Sequence, residues 1–279
     1  MKDRASERDM PAGAGGLGST AGRTVRGADA SGAAVIVAGG CSVWALPQDT
    51  TIAAVARGKV RETLRALLIP EEMVGDAATM VSELATNVLV HVLRDRCRPP
   101  GQPELWMYRR GKAPQIVTKV FDDGPWKGAV PHQPLRPPPG AEGGRGLELV
   151  NGLTGEHGGE WGVHRTRSRL GCPPGCGKAV YFALPAPEDS PASLPLIRRG
   201  CREASRDLEA ALRARGLGPL HRSEGWDMSV LSVRAGVTVW ARDGGLAVTT
   251  PAGMLRFPPG DVTEAAETIV CHCEDLDAR

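Results

Sequence analysis

The sequence predicts an α+β protein built in two unequal parts, and three observations predict it. First, two segments with apolar residues at helical spacing precede two short runs rich in β-branched and aromatic residues. Second, a glycine-rich segment opens another apolar helix, and a closing strand-like run, 178–184, follows it. Third, the last quarter of the chain holds short strand-like runs split by Ala-Gly, Asp-Gly-Gly and Pro-Ala-Gly turns.

Residues 1–40 are rich in Gly, Ala and Arg, with almost no large apolar residue before Val35, and are expected to form a disordered tail. Residues 42–46 read as a strand. Residues 51–68 read as an amphipathic helix with Ile52, Val55, Val60, Leu64 and Leu67 inward. Pro70 ends it and starts the next helix, which has Glu71 and Glu72 in its first turn. Pro99, Pro100, Gly101 and Pro103 break that helix. Residues 104–109 and 115–121 then read as paired strands joined at Gly111. Six prolines stiffen the loop between Gly124 and Gly143. After Pro185 and Pro187 the composition shifts: 194–217 reads as a charged, solvated or partner-binding helix. Runs at 228–234, 237–242, 246–250 and 254–257 read as a small antiparallel meander. A helix over 261–273 covers it, with Asp261 as N-cap and Glu264 at the third position of a capping box. The expected division is a tail (1–40), a first domain (41–187), a charged helix or linker (188–222) and a small β+α module (223–279).

Three segments carry chemistry. In the second helix, Met80, Leu84 and Val88 form the apolar stripe, with Val81 and Val92 on its flank. Glu83, Asn87 and His91 follow at intervals of four and share another face. A carboxamide oxygen can ligate a hard cation, and a carboxylate one turn earlier can take a proton from an attacking hydroxyl. Asp122 leaves a strand with Gly124 two residues on, so a carboxylate can meet the amino group of a planar base while the glycine admits the ring. Gly144, Arg145 and Gly146 open a helix whose backbone N–H groups would face an anion.

The ordered set, Glu83 with Asn87, then Asp122 with Gly124, then Gly144 with Gly146, then the strand from Lys178, resembles the ATP-binding domain of the GHKL superfamily, which includes gyrase and histidine kinases. Within it the chain is most similar to bacterial anti-sigma-factor serine/threonine kinases. Trp44 to Pro47, Ala53 to Arg57, Trp161 to Val163 and Gly177 to Val180 extend the resemblance over 41–187. It implies a two-layer α/β sandwich of the GHKL type. It implies that Asp122 and Gly124 hold adenine and Asn87 ligates Mg²⁺. Gly144, Arg145, Gly146 and Leu147 would meet the phosphates, Lys178 would belong to the nucleotide site, and Glu83 would be the base. The segment after Gly124 takes the place of a lid over the nucleotide. Trp126 stands where the family often has a second glycine, which puts the lid geometry and turnover in question. The implied function is a serine/threonine kinase acting on a regulatory protein, a sigma factor or an anti-sigma-factor antagonist. The alternative is a non-catalytic ATP-binding module that regulates transcription by sequestering its partner. No large transducer domain and no phosphoacceptor helix pair are visible, which disfavours a gyrase-like ATPase or a histidine kinase.

A net charge of +2 makes no case for direct nucleic-acid binding. The longest apolar run, 33–38, is far short of a membrane span, and no secretory signal is visible, so a cytoplasmic location is expected. A homodimer is left open. Cys172 with Cys176, and Cys271 with Cys273, lack the usual zinc-knuckle spacing; the seven cysteines read as thiols.

Overall fold

The computed structural model describes residues 24–26, 32–93, 101–124, 145–196 and 199–278. The first sheet contains β1 (Thr24–Arg26), β2 (Cys41–Ala45), β3 (Glu104–Arg110), β4 (Gln115–Asp122), β5 (Glu160–Arg167) and β6 (Cys176–Pro185), in the order β1-β2-β3-β4-β6-β5. It is antiparallel except for the β1–β2 pair. One face is covered by α1 (Gly32–Val37), α2 (Ile52–Ala66), α3 (Glu71–Val88) and α4 (Gly146–Glu156). Their apolar stripes meet Leu105, Met107, Ile116, Val120, Phe182 and Leu184 from the sheet. The α+β sandwich expected from the sequence is present.

The tail expectation fails at β1, which pairs with β2, and again from Gly32 onward. Ala33, Val35 and Ile36 of α1 are buried in the main core, so the Gly/Ala-rich composition concealed a helix that tertiary packing stabilises.

Helix α2 ends at Ala66, two residues before the expected end at 68, in a Schellman arrangement. Ile69 N–H donates to Leu64 O at 3.0 Å and Leu68 N–H to Arg65 O at 2.9 Å, while Ile69 packs with Leu64 in the core. This places Leu68 at φ +55° with its side chain 65% exposed. A leucine gains nothing there and is strained. Leu68→Gly is therefore expected to raise stability by about 0.5–1 kcal/mol, the relief of strain exceeding the entropy cost of glycine. Chemical denaturation checks this; an unchanged or lower midpoint would contradict it.

The opposite face of the sheet is not left to solvent. Along β3, Leu105 and Met107 point to the helices, whereas Trp106 and Tyr108 point the other way and are also fully buried. What covers them is the C-terminal part. There, β7 (His221–Glu224), β8 (Met228–Arg234), β9 (Val237–Arg242), β10 (Gly245–Thr250) and β11 (Gly253–Phe257) form an antiparallel meander. It packs on α5 (Cys201–Ala214) and α6 (Val262–Asp277) through a core of its own. Ala204, Leu208 and Leu212 of α5 lie in that core, so α5 is a packed element and not a solvated linker helix. It is also shorter than the expected 194–217. The expected boundary at residue 223 falls inside β7.

Helix α6 lies against the back of the first sheet through polar contacts. Asp261 occupies the N-cap position of α6, as expected, but its side chain makes no capping hydrogen bond. Its Oδ2 accepts the Gly111 N–H at 2.7 Å, and Glu264 accepts the Tyr108 hydroxyl at 2.6 Å and pairs with Arg110 at 3.3 Å. The expected capping box is thus replaced by three contacts with the β3–β4 hairpin. One turn on, Glu267 is almost wholly buried. It pairs with Arg215, with Arg169 at 2.7 Å and with Lys119 at 3.4 Å. The Arg169 and Arg215 guanidinium groups lie 5.2 and 5.0 Å from the Trp106 ring centroid. Burial alone would raise the Glu267 carboxyl, but Arg215, Arg169 and Lys119 overcome it and hold the group well below the usual range. Among the described residues no helix is long and apolar enough to cross a membrane.

Candidate functional site

Helix α3 buries Met80, Val81, Leu84 and Val88 and leaves Glu83 and Asn87 half-buried on the neighbouring face. Neither polar side chain has a hydrogen-bond partner among the described residues. The helix then widens into a π-helical turn, Leu89–Leu93. Such turns add a residue to the register. His91 accordingly does not continue the Glu83–Asn87 row as its spacing suggested, and is solvent-exposed. Val92 is instead turned inward, toward the end of β4.

Asp122 ends β4 and is buried. Its Oδ1 accepts the Gly124 N–H at 2.8 Å and also binds the Lys178 ammonium, which comes from the residue directly opposite in β6. Its Oδ2 accepts nothing from the described residues. Asp123 turns away and accepts the Gly101 N–H at 2.9 Å, so of the two adjacent carboxylates only Asp122 faces the site. Two glycines make this geometry possible. A Cβ on Gly124 would fall 2.6 Å from Val92 Cγ2, 2.7 Å from Asp122 Oδ1 and 2.9 Å from Lys178 Nζ. A Cβ on Gly177 would fall 2.2 Å from the Asp122 carbonyl oxygen, which cannot move without breaking the β4–β6 pairing.

Helix α4 begins at Gly146, directly beside Glu83: a Cβ on Gly146 would lie 2.6 Å from Glu83 Oε2. The first turn of a helix has N–H groups without intrahelical acceptors and carries its positive dipole end. The Glu83 carboxylate is therefore held at a place that also attracts phosphate oxygens. Arg145 precedes α4 and is exposed, and Leu147 is half-buried against the main core. Gly144, Trp126 and the whole expected lid, 125–144, lie outside the described residues.

The structure thus brings Glu83 to Gly146, and Asp122 to Gly124, Lys178 and Val92. The sequence did not reveal Val92 as a wall of the site, because the π turn that redirects it has no local signature. Nor did it reveal the ion pair of Lys178 with Asp122, which depends on strand register across 56 residues.

These residues fit a magnesium nucleotide. Gly124 leaves a cradle against Val92, Asp122 and Lys178 that one added methyl group would fill, and Asp122 Oδ2 accepts no hydrogen bond from the described residues. Asn87 and Glu83 offer the oxygen ligands that a hard cation takes. Comparison with known proteins agrees. Residues 46–168 match the model of the histidine kinase-like ATPase domain, a span that holds Glu83, Asn87, Asp122, Gly124 and Gly146. No curated protein matches the chain. The match, with the sheet order and the helical layer, supports a histidine kinase-like ATPase domain of the GHKL type at residues 46–168.

Proposed function

We propose that the protein is an ATP-dependent regulator that transfers a phosphoryl group to a serine or threonine of a protein partner, in the manner of the anti-sigma-factor kinases. The observation that carries this reading is the position of Glu83, a carboxylate without a protein partner among the described residues, set against the opening of α4 at Gly146. Bound ATP with Mg²⁺ would supply the phosphoryl group and the neutralising charge. Asp122 and Gly124 would select adenine, with Lys178 paired to the Asp122 carboxylate and fixing its orientation. Asn87 would hold the metal, and the first turn of α4, with Arg145 and Leu147, would meet the phosphates. Glu83 would orient the incoming hydroxyl and accept its proton. Positioning and charge neutralisation carry most of such a barrier, so activity should require a docked partner.

A sigma factor or an anti-sigma-factor antagonist is the partner class this reading calls for, in the cytoplasm, with no direct role for nucleic acid or membrane. The test is radiolabelled ATP with a candidate partner, comparing the wild type with Glu83→Ala. The variant should bind ATP normally and lose transfer by roughly 100-fold or more, the scale of a missing general base. Equal labelling by both proteins, or none by either despite tight binding of ATP and partner, would favour the alternative in which nucleotide only sets a shape that sequesters the partner.

A further inference from the structure

A cleft of about 930 Å³ lies where the β3–β4 turn and the start of β5 meet β9, β10, β11 and the N-terminus of α6. It is separate from the nucleotide site: none of Glu83, Asn87, Asp122, Gly146 or Lys178 lines it. Its volume is that of a pocket for a small organic molecule.

The floor follows from strand pairing. Val237, Val239 and Ala241 of β9 point into the C-terminal core, so Trp240 and Arg242 point out. Directly across the ladder, Trp240 faces Ala247, and Ala247 faces Arg256; Arg242 faces Gly245. Two small residues thus leave a trough between an aromatic wall and a cationic one. Met254 extends its apolar side and is 54% exposed, and Trp240 is 38% exposed.

The charges are not balanced in use. Glu160 and Glu264 are both paired with Arg110, and Asp261 accepts the Gly111 N–H. Lys112 and Arg256 have no ionic or hydrogen-bond partner among the described residues, and Arg242 has only a contact of 3.8 Å to the Met228 sulfur. The cleft therefore presents an exposed tryptophan beside uncommitted cations, while its acids are spent on the fold. Asp261 Oδ1, buried on the same wall, also lacks a donor.

We infer that this cleft is a binding site for a small anionic aromatic ligand, its ring stacked on Trp240 above Ala247 and its acid group held by Arg242 and Arg256. Because residues of both parts of the chain line the cleft, such a ligand would strengthen their docking by mass action.

The experiment uses the full chain saturated with ATP and Mg²⁺, so that the nucleotide site is not open to the probe. The probes are 1-naphthoate and its uncharged isostere 1-naphthamide, followed by ligand-observed NMR titration and thermal shift. Naphthoate should bind at least about tenfold more tightly than naphthamide, the worth of a charge-assisted hydrogen bond. Trp240→Ala and Arg256→Ala should each weaken naphthoate by about tenfold or more, while Trp226→Ala, at an exposed turn outside the cleft, should leave it unchanged. No naphthoate binding at millimolar concentration, equal binding of the two probes, or an equal loss in Trp226→Ala would overturn the inference. The two cleft substitutions are at exposed positions, and a wild-type circular dichroism spectrum for each shows that the loss is not one of folding.

Discussion

Glu267→Ala is expected to destabilise the protein by about 3–5 kcal/mol, the cost of removing one partner from a buried ionic cluster. The side chain is 2% exposed, and its carboxylate is shared by Arg215, Arg169 and Lys119, which are themselves 3%, 9% and 4% exposed. The three cations cannot turn to water without parting α6 from the sheet. The loss of their anion should therefore show as a fall in melting temperature on the order of 10 °C, with new proteolysis between the two parts after Pro187. Glu267→Gln keeps the shape and removes the charge, so it should fall between the two. The pH dependence has a definite sign. The folded-state carboxyl is held below its unfolded value, so its stabilisation is present above about pH 4.5 and is lost as the pH falls below that. Asp261 acts in the opposite sense: burial raises it to about 6, so ionising it as the pH rises from 3.8 toward 6 opposes folding. Wild-type protein should lose stability on acidification below about pH 4.5 more steeply than Glu267→Ala. Identical melting of wild type and Glu267→Ala at neutral pH would refute the structural role given to this cluster.

The second large effect is expected at the nucleotide site. Asp122→Ala removes the acceptor of the Gly124 N–H, the counter-charge of Lys178 and the open Oδ2. ATP affinity should fall roughly tenfold to a hundredfold, the worth of a hydrogen bond to a charged group. Discrimination between ATP and GTP should fall with it. Stability should change little, because the Lys178 side chain is 22% exposed and can turn toward water. Unchanged affinity and unchanged base selectivity in calorimetry would remove Asp122 from the site.

Much of this site was legible in the sequence because its parts are local. Glu83 and Asn87 are one helical turn apart, and Asp122 and Gly124 share one strand end, so spacing alone placed each pair. The strand runs of the C-terminal meander were legible for the same reason: alternation and glycine turns are short-range signals. What the sequence concealed is long-range. Glu264, Glu267 and Glu274 follow at helical spacing and look like a solvated face, yet they meet Arg110, Arg169, Arg215 and Arg167 across the interface. A buried polar face and an exposed one have the same local pattern. One clue was present. Leu105, Trp106, Met107 and Tyr108 are apolar on both alternations, as expected for a strand covered on both faces. Asp261 and Glu264 matched a capping box in spacing, but tertiary acceptor demand at Gly111 and Tyr108 outcompeted the local cap.

The most direct test of the account is isothermal titration of the full chain with ATP, with and without Mg²⁺, in wild type and Asn87→Ala. The placement of Asn87, Asp122, Gly124 and Gly146 predicts saturable binding that tightens when Mg²⁺ is added, and loss of that magnesium-dependent gain in Asn87→Ala. An absence of heat and of competition at millimolar ATP, or a magnesium effect that survives Asn87→Ala, would contradict it.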